Sequence, residues 1–239
     1  MQPAPLLIEY PDSDGQPMAD STLQYRWMVT LKGNFEREFA HRDDVFVAGN
    51  LLWYPVEGDP DERQSPDVMV VFGRPKGDRG SYQQWLEGFI GPQVAIEILS
   101  RSNRAGEMRQ KFLFYQRHGV QEYYIYDPIR GTLEGWVRGK SRFRRILDLQ
   151  GFVSPLLGCR FELAPPAPLR LFRSNGEEFW TYERVFEEHE REKQRADDNQ
   201  KRADENEKKA KDQEQRALTA EERATRLAAK LRALGIDPD

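Results

Sequence analysis

The 239 residues carry a formal net charge of −4, one cysteine and three histidines. A single Cys159 excludes an intrachain disulfide, suits a reducing cytoplasm and, with His41, His118 and His189 far apart in sequence, argues against a Cys/His zinc site. The acidic balance removes any global electrostatic case for nucleic acid but leaves room for a local basic cleft.

In chain order, MQPAPLLIEYPDSDGQPMAD has neither a basic n-region nor a long apolar stretch, so it reads as neither a signal peptide nor a membrane span. Its Pro, Asp and Gly content predicts a flexible arm over residues 1–22. The apolar residues needed for a core fall between about Leu23 and Val185, which sets a predicted domain over residues 23–185. LKGNFEREFAHRDDVFVAGN combines a short helix-like stretch with an Asp-rich turn. Val45–Val47 and Leu51–Tyr54 follow as strands about a Gly49-Asn50 turn. The polar loop EGDPDERQSP ends at Pro66, and a strand starts near Asp67. The long connection GRPKGDRGSYQQWLEGFIGPQ is assigned a helical piece at Tyr82–Phe89.

VAIEILS is the next strand, and RSNRAG is a polar break. Glu107–His118 has helical spacing, with Met108, Phe112 and Tyr115 on one side and Gly119 as the stop. EYYIYDP is a strand closed by Pro128. This strand–helix–strand order predicts a right-handed crossover between parallel neighbours. TLEGWVRG, FRRILDL and PLRLFR read as later antiparallel strands. The expected fold is α/β with an α+β tendency, built on a mixed sheet with flanking helices.

Residues 187–232 hold 13 acidic and 13 basic residues. Ala196, Ala203, Ala210, Ala217, Ala224 and Leu231 recur every seven positions, with Asn199, Asn206, Gln213, Ala220, Leu227 and Leu234 three residues on. The pattern predicts a charged heptad-repeat helix over residues 186–239. It fits a solvated, salt-bridge-laced helix as well as a weak coiled coil; the Leu227–Leu234 end favours self-association into a homo-oligomer.

Two acids break the pattern of the predicted core. Asp67 opens SPDVMVVF, and Glu97 stands inside VAIEILS. Such runs read as strands buried on both faces. An ionised carboxylate there costs several kcal/mol (roughly) unless it gains an Arg or Lys partner, a raised pKa or a metal ion. Two carboxylates suit one or two Mg²⁺ ions, which take hard oxygen ligands, lower the pKa of a bound water and offset charge on a phosphate oxygen.

SPDVMVVFG, PQVAIEILS and EMRQKFLFYQRHGVQEYYIYDP together resemble the Uma2 family of bacterial proteins, within the PD-(D/E)XK nuclease superfamily. The resemblance spans most of residues 25–185. It implies a restriction-endonuclease-like fold and Asp67 and Glu97 as metal ligands, with a backbone carbonyl at Ile98 or Leu99 as a further one. The superfamily places Lys two residues after the Glu, where this chain has Leu99; Lys111 on the following helix fits that role. Glu107, four residues before Lys111, is positioned to pair with it. Gln110 and Tyr115 are candidates to orient water or phosphate, and Arg101 and Arg104 to reach a phosphodiester. Glu36 and Glu38 lie where the superfamily sometimes supplies another acid, and the spacing does not choose between them. Asp127 reads as a strand-ending turn residue, and His118 as a cation at a helix C-terminus. The loop Arg74, Lys76, Arg79, Tyr82 and Trp85 reads either as a nucleic-acid contact or as a solvated loop around a packed Trp.

The expected function is a Mg²⁺-dependent cytoplasmic endonuclease, with Mn²⁺ as a substitute, that acts on DNA through Asp67, Glu97 and Lys111. Two other readings stay open. One is a catalytically lapsed module of the same fold that binds nucleic acid or protein and assembles through its tail. The other is a scaffold whose tail is the functional part.

Overall fold

The computed structural model describes residues 8–13, 15 and 18–233. The chain divides into two compact units, Met1–Val185 and Phe186–Asp239. The first is built on a sheet of six strands: β1 (Val45–Gly49), β3 (Val68–Phe72), β5 (Val94–Ile98), β6 (Glu122–Asp127), β7 (Thr132–Arg138) and β8 (Phe143–Arg145), in the spatial order β1-β3-β5-β6-β7-β8. Within this sheet, among the described strands, only the β5–β6 pair is parallel. Their connection is helix α2 (Ala105–Arg117), the crossover expected between parallel neighbours. This is a mixed α/β sheet with flanking helices, as the sequence predicts.

Strand alternation divides the core into two. Val68, Val70, Val94, Ile96 and Ile98 point to one face, where they join Met28, Leu31 and Phe35 of helix α1 (Thr22–Glu38). Met69, Val71 and Ala95 point to the other face and meet Phe114 and Tyr115 of α2. With a side-chain period of two, the odd-numbered position Glu97 in β5 also faces α2. Asp67 directly precedes β3 and stands at the margin of the two faces, where Gln24 of α1 reaches it.

Helix α1 starts well before the short helix expected near Leu31. Ser21 caps it by accepting the Gln24 N–H at 3.1 Å. Its buried stripe Gln24, Met28, Leu31, Phe35, Glu38 has the three-and-four spacing of one helix face. Gly33 is required by packing, since a Cβ there would lie 2.4 Å from Val185 Cγ1. The stretch expected as helical at Tyr82–Phe89 instead forms the two-residue strand β4 (Tyr82–Gln83), parallel to β2 (Trp53–Tyr54), and then turns. Tyr82 is fully buried and its hydroxyl donates to the Ile90 carbonyl at 2.7 Å, so tertiary contacts override the local helical pattern. A separate antiparallel pair, β9 (Arg160–Glu162) and β10 (Arg170–Phe172), completes this unit.

The described part of the arm is packed: Tyr10 contacts the rings of Tyr54 and Trp85, and the Tyr54 hydroxyl donates to the Pro11 carbonyl at 2.6 Å. Helix α3 (Tyr182–Ala233) carries the heptad segment. Beyond Phe186 almost all its described side chains are exposed, and Glu187–Arg191 and Glu207–Lys211 pair four residues apart. Leu234 and the side chains of Leu227 and Leu231 lie outside the described residues. Among the described residues, no helix is long and apolar enough to cross a membrane.

Candidate active site

Extending the antiparallel β3–β5 register one pair beyond Val68↔Ile96 sets Asp67 directly opposite Glu97. Opposed side chains have Cβ atoms about 5 Å apart, and like charges there repel. Both carboxylates are also buried, Asp67 at 6% exposure and Glu97 at 2%. Lys111 and Tyr115 sit one helical turn apart on α2 and project toward the same face. The Lys111 ammonium donates to Glu97 Oε2 at 2.8 Å, and the Tyr115 hydroxyl to Glu97 Oε1 at 2.5 Å. The fold thus brings Asp67, Glu97, Lys111 and Tyr115 together.

Asp67 is held from two other directions. The Ile98 N–H donates to its Oδ2 at 2.7 Å, and the Gln24 amide donates to Oδ1 at 3.3 Å and Oδ2 at 3.2 Å. Burial, and next the charge of Glu97, push the Asp67 carboxyl up to about 7, against the opposing pull of Lys111, Ile98 and Gln24. For Lys111, burial works to lower the pKa, but Glu97 and Asp67 outweigh it and hold the ammonium above its ordinary range. Burial foremost, then Glu97, drives the Tyr115 hydroxyl well above the usual phenol value. The centre therefore has more buried negative charge than Lys111 fully offsets.

Those features fit a hard divalent cation. The donors are carboxylate oxygens, the charge deficit is local, and one backbone carbonyl is placed to join them. The Ile98 N–H, and hence its C=O, face the β3 side. In the continued register its partner would be Pro66, which has no N–H to offer that carbonyl. Among the described residues, no group of three or more His, Cys, Asp or Glu converges anywhere.

The remaining candidates separate clearly. Leu99 shares the Glu97 face, and its N–H continues the ladder to the Tyr126 carbonyl at 2.7 Å; the lysine comes from α2 instead. Lys111 takes Glu97 as its ion-pair partner in place of the expected Glu107. Tyr115 was expected near substrate, but it is fully buried and its hydroxyl is committed to Glu97, so it positions an acid. Gln110 is exposed on α2 beside Lys111. Arg101 and Arg104 are exposed and line a groove of about 420 Å³ with Leu99, Met108, Asp127 and Arg130.

Neither early acid reaches the site. Glu36 pairs with Lys32 on the surface, and Glu38 pairs with Arg173 and Ser174. Gln24, at the opposite end of α1, is the residue that touches Asp67. No sequence signal marks it, because an uncharged glutamine ahead of the expected helix breaks no pattern. Asp127 accepts the Ile129 and Arg130 N–H groups, a turn as expected. His118 caps α2 and contacts Glu62 at 2.6 Å. The basic loop is consumed internally: Arg74 and Arg79 both bind Glu87, and Lys76 donates to the Ala40 carbonyl.

A solved structure from Anabaena variabilis, described as a putative nuclease belonging to DUF820, is similar to this chain at 16% identity and a TM-score of 0.44, covering 60% of this chain and 77% of that one. No curated protein matches. The model of the Uma2 family, described as "Putative restriction endonuclease", matches residues 8–165. That span includes Gln24, Asp67, Glu97 and Lys111. The chain belongs to the Uma2 family.

Proposed function

We propose that this protein is a Mg²⁺-dependent endonuclease that hydrolyses phosphodiester bonds in DNA. The observation that carries the reading is the closeness of two buried carboxylates, with Asp67 accepting the N–H of Ile98, the residue next to Glu97, and the Lys111 ammonium bonded to Glu97. The Asp67 and Glu97 carboxylates and the Ile98 carbonyl would hold the ion. When bound, it supplies Lewis acidity to water and to the scissile phosphate.

The chain's own groups do the rest. Lys111 is held charged by its two acidic neighbours, so it acts as a donor that orients water and stabilises phosphate charge, and a role as general base is disfavoured. Tyr115 holds Glu97 by Oε1 while Lys111 bonds Oε2, so Lys111 is free to shift toward substrate without releasing that acid. Arg101 and Arg104 contact phosphates beside the scissile one. These local cations serve a protein whose net charge is −4.

The test is nicking of supercoiled plasmid with Mg²⁺ or Mn²⁺ by the full chain, beside Asp67→Ala and Glu97→Ala. Cleavage by the parent that both substitutions abolish supports the reading. Cleavage that survives both, or a parent that is inert with either ion, refutes it.

A further inference from the structure

Gln24 reaches the acid pair without bringing a charge. Its orientation is fixed: the Asp20 N–H donates to Gln24 Oε1 at 2.9 Å, so the other end of the amide, Nε2, is the one that faces Asp67. Nε2 spans both carboxylate oxygens, at 3.3 and 3.2 Å. The backbone of Gln24 is tied as well, through the Ser21 cap at 3.1 Å, and the residue is 6% exposed. Little freedom remains to this side chain.

The same short segment holds the arginine-bearing loop. The Asp20 carboxylate accepts the Ser100 hydroxyl at 2.9 Å and also the Ser102 hydroxyl. Residues 20–24 therefore grip both Asp67 and the turn that carries Arg101. On this side of the acid pair, an amide N–H₂ occupies the place beside Asp67 where an acidic side chain of equal length would add two acceptor oxygens. An N–H donor repels a cation, whereas a carboxylate attracts one.

We propose that Gln24 is a positioning residue that aims the Asp67 carboxylate and, by presenting an amide in place of a third carboxylate, confines the acid pair to one divalent cation. This rests on the metal-binding reading above. The chemistry predicts opposite effects from two replacements of similar length. Methionine fills the volume and removes both hydrogen bonds, so Asp67 loses its aim. Glutamate keeps the reach and turns the donor into acceptors, which makes room for a second ion.

The experiment is Mn²⁺ titration of the full chain by calorimetry, with free Mn²⁺ counted by electron paramagnetic resonance. The parent should take up one Mn²⁺ per chain. Gln24→Met should still take up one, with affinity lower by about tenfold, in line with losses on removing groups that orient metal ligands. Gln24→Glu should take up two. Parental affinity in Gln24→Met refutes the positioning role, and a single ion in Gln24→Glu refutes the confinement. Should Gln24→Met fail to fold, as circular dichroism would show, the Gln24→Glu count decides alone. A parent that binds no Mn²⁺ overturns the metal-binding reading itself, a result distinct from either failure.

Discussion

Asp67→Asn provides the sharpest physical test, because it removes a charge that the fold opposes. The folded-state carboxyl lies near 7, against an ordinary 3.8. Between about pH 4 and 7 the folded protein therefore keeps a proton that the unfolded chain releases, and stability falls as pH rises through that window. Above about 7 the loss is complete and amounts to roughly 4 kcal/mol without a cation. Asparagine escapes that cost, and the bonds from Ile98 and Gln24 are already counted in the shifted value. The expectation at pH 8 in EDTA is therefore a gain of about 4 kcal/mol, or roughly 8–16 °C in Tm for a protein of this size. The advantage should shrink steadily as pH falls toward about 4, where the carboxyl is protonated in both states. Saturating Mg²⁺ should raise the parent's Tm at pH 8 and leave Asp67→Asn nearly unmoved. Calorimetric melts across pH 5–8 measure all of this. An Asp67→Asn protein no more stable than the parent at pH 8, or one whose advantage is undiminished at pH 5, would refute the reasoning.

Lys111→Met strips the buried Glu97 of its ion-pair partner and should cost about 3 kcal/mol by urea denaturation in EDTA, with part of the loss restored by Mg²⁺; it should also abolish cleavage. Tyr115→Phe leaves Glu97 Oε1 without its hydroxyl donor, a cost of about 1–3 kcal/mol. Its signature is a lower kcat at an unchanged DNA Kd, and an equal loss of turnover and of DNA affinity would argue against a positioning role. Arg101→Ala and Arg104→Ala should each weaken DNA binding and reduce the slope of log K against log salt by about 0.9, read from anisotropy titrations at several salt concentrations.

The two acids were legible in the sequence because a charge inside VAIEILS, or at the head of SPDVMVVF, breaks an apolar pattern that only a few arrangements tolerate. Lys111 was legible only through family resemblance, since a lysine on an amphipathic helix is otherwise an ordinary surface residue. Its expected partner, Glu107, was a local guess by helical spacing; the partner it has, Glu97, lies 14 positions away along the chain. Tyr115 was legible as a site residue but with another role, toward water or phosphate; its hydroxyl contact with Glu97 depends on how α2 crosses the sheet. The short helix expected at Tyr82–Phe89 failed for a related reason: burial of Tyr82 and its bond to Ile90 outweigh local propensity.

What the sequence determined by itself is what its periodicities encode: which strands are buried on both faces, that α2 connects parallel neighbours, and that two carboxylates interrupt the core. The tertiary structure alone decided who stands beside those carboxylates. Strand pairing brought Asp67 beside Glu97 and onto the Ile98 N–H, and the start of α1 delivered Gln24 in place of Glu36 or Glu38. These are contacts between residues 30 to 43 positions apart, fixed by strand pairing and helix packing, and no local pattern of residues carries that information.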